Sequence, residues 1–139
     1  MLILSNDNHR GNWHRSCVSF KKAHDHQRSI WISTDICLKL KADTKKFAAI
    51  VFDGDKLRIQ LLAVPFYQGI SVHRLSRAGG NKTKSRLVWL HEQVFPESAF
   101  PTAIHVAEVV RGVIVVKIPG CEKRIKRVLQ VRAQKLARS

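Results

Sequence analysis

Apolar positions in this chain fall into short runs of strand length, separated by polar turns. Ser29–Ile32 and Leu87–Leu90 set apolar residues and a tryptophan side by side, the pattern of strands covered on both faces. Phe47–Phe52 and Leu57–Leu62 flank Asp53-Gly54, a dipeptide that favours the positive φ angles of a tight hairpin. Lys56, Arg58 and Gln60 alternate there with Leu57, Ile59 and Leu61, which predicts one wet and one buried face. Thr102–Val110 and Val113–Ile118 enclose Arg111-Gly112 and are almost continuously apolar. They are therefore expected at the centre of the sheet, covered on both sides. A short helix is expected after Ile32, capped by Ser33 or Thr34 with Asp35 in its first turn. A second is expected at His91–Phe95, stopped by Pro96. Ile70–Leu75 predicts a further strand, and Cys17–Phe20 is the one strand-like stretch of the first 28 residues. Ser76–Lys84 reads as a flexible loop. After Pro119-Gly120, residues 121–136 predict a helix with Ile125, Val128, Leu129 and Leu136 on one side.

The chain also resembles itself. An offset of 58 residues lays 28–54 over 86–112 and matches Arg28 with Arg86, Trp31 with Trp89, Thr44 with Thr102, Ala49 with Ala107, Val51 with Val109 and Gly54 with Gly112. Beyond the glycines the offset becomes 57, and Leu57, Ile59 and Leu61 fall on Ile114, Val116 and Ile118. The same order of elements in both halves points to duplication. The expected fold is mainly β (α+β): duplicated strand–short helix–hairpin units forming a small barrel-like core, plus a basic C-terminal helix. Residues 1–28 then make a polar, basic N-terminal segment. Residues 29–120 make the core, with repeats at about 29–62 and 86–118 and a basic glycine loop, 74–86, between them. Residues 121–139 make the tail.

This order resembles the AbrB/MazE-type swapped-hairpin family, in the tandem arrangement of the MraZ proteins. The residues that carry the resemblance are Ser29–Ser33, Val51–Gly54 and Leu57–Ile59, with second copies at Leu87–His91 and Val109–Ile118. It covers about half the chain. It implies an intramolecular pseudo-dimer that binds DNA through basic residues on the strand and loop preceding the helix. In this chain those are Arg28, Arg86 and the loop Arg74–Lys84. Transcriptional regulation is the role the resemblance implies.

Charge narrows the partner class. The 139 residues hold 25 Lys and Arg against 10 Asp and Glu, a formal net charge of +15. Such a charge repels itself in the folded state, so it points to a polyanion, with DNA ahead of RNA. Arg74, Arg77, Lys82, Lys84 and Arg86 flank Gly79-Gly80, where the backbone can approach a phosphate and flexible cations can neutralise it. Lys123, Arg124, Lys126, Arg127, Arg132, Lys135 and Arg138 lie on the expected terminal helix. The glycines lack Walker spacing, so nucleotide hydrolysis is not expected. Trp31 and Trp89 are expected in the core, since their neighbours are apolar. The competing reading is a non-enzymatic inhibitor or accessory factor that docks on an acidic protein or a nucleoprotein complex.

Other chemistries are not expected. His9, His14, Cys17, His24 and His26 cluster near the N-terminus, but their spacing matches no standard metal-ligand pair. The histidines would instead add positive charge below about pH 6.5. Asp53 and Asp55 are explained by turn chemistry, and no nucleophile-elbow pattern occurs. Neither a catalytic group nor a cofactor is expected. No apolar stretch approaches the ~20 residues of a membrane span. The apolar start is too short for a signal-peptide core, and three widely spaced cysteines suit a reducing cytoplasm better than a disulfide framework.

Overall fold

A computed structural model describes residues 16–22, 27–77, 84–91 and 102–138 of the chain. The strands are β1 (Cys17–Lys22), β2 (Gln27–Ile32), β3 (Phe47–Asp53), β4 (Lys56–Leu62), β5 (Phe66–Tyr67), β6 (Ile70–Ser71), β7 (His73–Arg77), β8 (Arg86–His91), β9 (Ala103–Val110) and β10 (Val113–Lys117). A short helix α1 (Thr34–Lys39) and a 3-10 turn (Ala42–Thr44) join β2 to β3, and a long helix α2 (Cys121–Arg138) follows β10. Eight strands close into an antiparallel barrel in the order β1-β2-β8-β7-β3-β4-β10-β9, with β9 returning to β1. Strands β5 and β6 pair only with each other.

The duplication governs how the barrel closes. Where β2 meets β8, Ile30 pairs with Val88, its own counterpart at an offset of 58. Where β4 meets β10, Arg58 pairs with Val115, its counterpart at an offset of 57. A pseudo-two-fold axis therefore passes through both seams. Exchanging β1 with β7, β2 with β8, β3 with β9 and β4 with β10 leaves the strand order of the barrel unchanged. Each β-hairpin also crosses to the other half: β3 pairs with β7, and β9 pairs with β1. The repeat thus includes β1, inside the segment assigned from sequence to a polar N-terminal arm. Its alternation explains why: Val18 and Phe20 face the core while Ser19 and Lys21 face outward.

Inward positions make one apolar cluster. It includes Val18, Phe20, Ile30, Ile32, Val88, Leu90, Leu57, Ile59, Ile114 and Val116, and α1 adds Ile36 and Cys37. Cys37 donates its thiol hydrogen to the Ile32 carbonyl, and burial pushes its pKa up to about 11. It is a packing group and not a thiolate.

Several expectations change. The Ile70–Leu75 strand breaks at Val72 into β6 and β7, and β7 runs on to Arg77, so Arg74 and Arg77 are strand residues. The first hairpin turns at Gly54-Asp55, between the paired Asp53 and Lys56, one residue later than expected. Only Gly54 of that pair has positive φ. Arg111 and Gly112 both have it, as a type I′ turn requires, whereas a single positive φ at the first position is the type II′ pattern. Strand β9 is not covered on both faces: Val106 is 71% and Ile104 61% exposed. The second short helix, at His91–Phe95, falls almost wholly outside the described residues.

Ile30 sits at the first seam with no exposure. Ile30→Ala is expected to lower stability by about 2–5 kcal/mol in urea denaturation, the cost of a large-to-small change in a packed core. Leu38→Ala, on the exposed flank of α1, is expected to change it by less than about 0.5 kcal/mol.

Candidate nucleic-acid interface

Cations from three separate segments meet beside the 3-10 turn. Lys45 and Lys46 lead into β3, Arg74 and Arg77 lie on β7, and Lys84 precedes β8. The register that pairs Phe47 with Arg74 brings the first two segments together, and Leu75 N–H donates to the Lys46 carbonyl at 2.9 Å. Lys45, Lys46, Arg74 and Arg77 line a cavity of about 530 Å³ with Asp43 and Arg86. A second cavity, of about 260 Å³, continues the surface through Asp43 to Lys41 and Lys84. Lys41, Lys46, Arg74, Arg77 and Lys84 are exposed on this surface and Lys45 is half-buried. Lys41, Lys45 and Lys46 were not singled out in the sequence, where they look like ordinary surface lysines. Only the β3–β7 pairing puts them beside Arg74.

Two arginines expected at the interface serve elsewhere. Arg28 is 1% exposed, because β2 alternates and carries it inward beside Ile30 and Ile32. Arg86 is 6% exposed for the same reason on β8. Its guanidinium donates to the Lys84 and Ser85 carbonyls, both at 3.1 Å, and to Asp43 Oδ1 at 2.5 Å. Arg86 therefore ties the β7–β8 connection to the 3-10 turn and holds the exposed cations in place. Asp43 also lies 3.7 Å from Lys84 Nζ, an exposed pair that contributes little by itself. Lys82 and the two glycines lie outside the described residues.

The terminal helix forms a second basic surface. Its first turn grips the β3–β4 turn: Glu122 accepts the Gly54 N–H at 2.6 Å, Asp55 accepts the Gly120 N–H at 2.6 Å, and the Cys121 thiol donates to the Gly54 carbonyl at 3.2 Å. Cys121 and Ile125 are buried there, whereas Leu136 is 76% exposed. Of the apolar side expected from sequence, Ile125 is thus docked and Leu136 is not. Lys123, Lys126, Arg127 and Lys135 are exposed. Arg124 instead donates to the Pro119 carbonyl at 2.7 Å. Arg132 lies further along the same helix. Strand β3, seven residues long, separates this surface from the first by about 20 Å.

Beside the first surface the outer wall of the barrel carries a third cavity, of about 400 Å³, lined by Cys17, Ser19, Lys21, Trp31, Asp35 and Leu38 among others. Trp31 and Trp89 are not core residues. Trp31 lines this cavity, and Trp89 is 40% exposed. The Trp31 indole N–H donates to Ser29 Oγ at 3.0 Å, and Lys21 Nζ lies 4.2 Å from the ring centre. Partial burial would raise the Asp35 carboxyl, but hydroxyl hydrogen bonds from Ser16 and Ser33 and the backbone N–H groups of Ile36 and Asp35 hold it below the ordinary range.

Burial pushes His73 and His105 below the ordinary histidine value. Neither supplies the extra charge expected near pH 6.5. No group of three or more metal-ligating side chains occurs among the described residues, of which Cys17 is the one member of the N-terminal His/Cys cluster. No described helix is long and apolar enough to cross a membrane. Compared with known proteins, the chain matches no family model, no curated protein and no solved structure.

The helix grip generates a pH signature. The Gly54 N–H, with Lys126, lowers the Glu122 pKa. Its contribution is present above the ordinary glutamate range and lost as pH falls through the depressed native value. Glu122→Gln is expected to lower the melting temperature by a few degrees at pH 7. The difference should close in acid, where wild type also becomes neutral, in thermal melts followed by circular dichroism.

Proposed function

We propose that this chain is a non-enzymatic nucleic-acid-binding protein, with DNA ahead of RNA, that grips phosphates through the surface around the 3-10 turn and through α2. The observation that carries the reading is the convergence of Lys41, Lys45, Lys46, Arg74, Arg77 and Lys84, from three stretches of sequence, around one acid. Folding concentrates like charges here instead of dispersing them, against their mutual repulsion. A polyanion relieves that repulsion and releases its own counterions. The exchange of hairpins across a pseudo-two-fold axis supports kinship with the AbrB/MazE-type family, and with it the role of a small transcriptional regulator. That role rests on analogy of fold alone.

A second reading has one observation in its favour. Ile104, Val106 and Val110 form an exposed apolar strip along β9, interrupted by exposed Glu108. A protein partner would cover it, in the manner of an inhibitor or accessory factor.

Fluorescence anisotropy with labelled DNA across a salt series tests the leading reading. Binding should weaken steeply with salt, with a slope of about −0.9 per phosphate contact on duplex DNA. Lys46→Glu with Arg74→Glu should make that slope shallower by about 2. Lys117→Glu, on β10, should leave it unchanged. Absence of binding at low salt would overturn the reading and leave the apolar strip as the lead.

A further inference from the structure

We infer that the Trp31 cavity receives an unpaired base, so that the nucleic acid this surface holds is single-stranded or locally opened. The inference rests on the nucleic-acid reading above. Three features carry it.

The first is continuity. The Trp31 cavity shares Leu38 with the cavity containing Lys41 and Lys84, which shares Ala42 and Asp43 with the one containing Lys45, Lys46, Arg74 and Arg77. A strand laid along these cations is led to the aromatic ring. That combination, a cationic track with an aromatic face beside it, suits single strands, because every base has a π-face.

The second is the shape and chemistry of the cavity. Its volume of about 400 Å³ lies within the ~300–1,000 Å³ of small-molecule sites. Trp31 forms a flat wall, fixed by its bond to Ser29. The polar part of its lining includes Asp35, Ser33, Thr34 and Ser85, with the Thr34 and Ser85 hydroxyls 2.8 Å apart. Asp35 is held by the Ser16 and Ser33 hydroxyls and by the backbone N–H groups of Ile36 and Asp35, so the hydroxyls of Thr34 and Ser85 are the groups that meet the polar edge of a base. In a duplex that edge faces its partner base and cannot reach the cavity. In the free protein the Lys21 ammonium lies over the Trp31 ring. A base stacking on the ring takes the place of the ammonium, whose long stem then carries it to the adjoining phosphate.

The third is broken symmetry. Residues 33–46, which join β2 to β3, contain four lysines, whereas residues 92–102, which join β8 to β9, contain neither Lys nor Arg. A two-fold protein that reads a palindromic duplex presents the same cations from both halves. The four lysines of the first connection thus have no counterparts in the second, as suits a ligand with a direction.

The test uses the full chain carrying Trp13→Phe and Trp89→Phe, which leaves Trp31 as the one tryptophan. It is titrated with labelled oligo-dT, oligo-U and a DNA duplex of equal length, and indole emission and anisotropy are followed together. Either single strand should quench Trp31 in step with the anisotropy rise, and the duplex should not. In the native background, Trp31→Leu should weaken single-strand binding roughly tenfold to a hundredfold without altering its salt slope, and Trp31→Phe should recover part of the loss. Single strands that bind without quenching, or equal quenching by the duplex, would overturn the base pocket and leave phosphate binding standing. No binding by any of the three at low salt would overturn both.

Discussion

The closure of the barrel depends on two seams at which the halves meet through equivalent residues, Ile30 with Val88 and Arg58 with Val115. Neither half has a closed sheet of its own. Strands β1 and β2 of the first half have free edges until β9 and β8 of the second cover them, and β3 and β4 until β7 and β10 do. An uncovered edge is a row of unsatisfied backbone groups. Folding is therefore a joint act of both halves, and the exchange of hairpins makes it more so. The positions of the cations follow, because Lys46 and Arg74 belong to different halves and meet only through the β3–β7 pairing.

Holding so much like charge in one place requires internal counter-charges, and the chain uses few of them sparingly. Asp43 stands among the cations of the first surface and is held by buried Arg86, which also fixes the neighbouring carbonyls. Glu122 and Asp55 serve a similar purpose at α2, where both carboxylates take up backbone N–H groups and tie the helix to the β3–β4 turn. These acids position basic elements and pair with a few of their cations, and the chain keeps a formal net charge of +15.

The barrel was legible because it rests on local signals repeated twice. Lys56–Leu61 alternates and Asp53-Gly54 marks a turn, and their counterparts appear at a constant offset. What could not be read was facing. Arg28 and Arg86 look like interface residues in a basic chain, yet an inward register makes them core cations. Trp31 and Trp89 look like core residues among apolar neighbours, yet lie on the outer wall. A one-residue step on a strand decides each case, and composition does not carry register. The same holds for β9, whose continuous apolar run hides an outward set of Ile104, Val106 and Val110. The cationic surface was half legible, through Arg74, Arg77 and Lys84. Lys41, Lys45 and Lys46 lay too far away in sequence to be joined to them.

Duplication and function pull in different directions in this chain. The inward face keeps its two-fold character, since core residues of the two halves meet at both seams, Ile30 with Val88 at one and Ile59 with Ile114 and Leu57 with Val116 at the other. The outward face has lost it. One half carries the lysine-rich connection and the cavity beside Trp31, while after β10 the other carries α2, where the first half has only the small β5–β6 hairpin. Packing constrains inward positions through volume, so divergence there costs stability. Outward positions are free of that constraint and diverge by charge. The result is a symmetric barrel bearing two unlike basic surfaces at opposite ends of β3. That arrangement has a polarity of its own, which a ligand with two distinguishable ends can match and a two-fold ligand cannot.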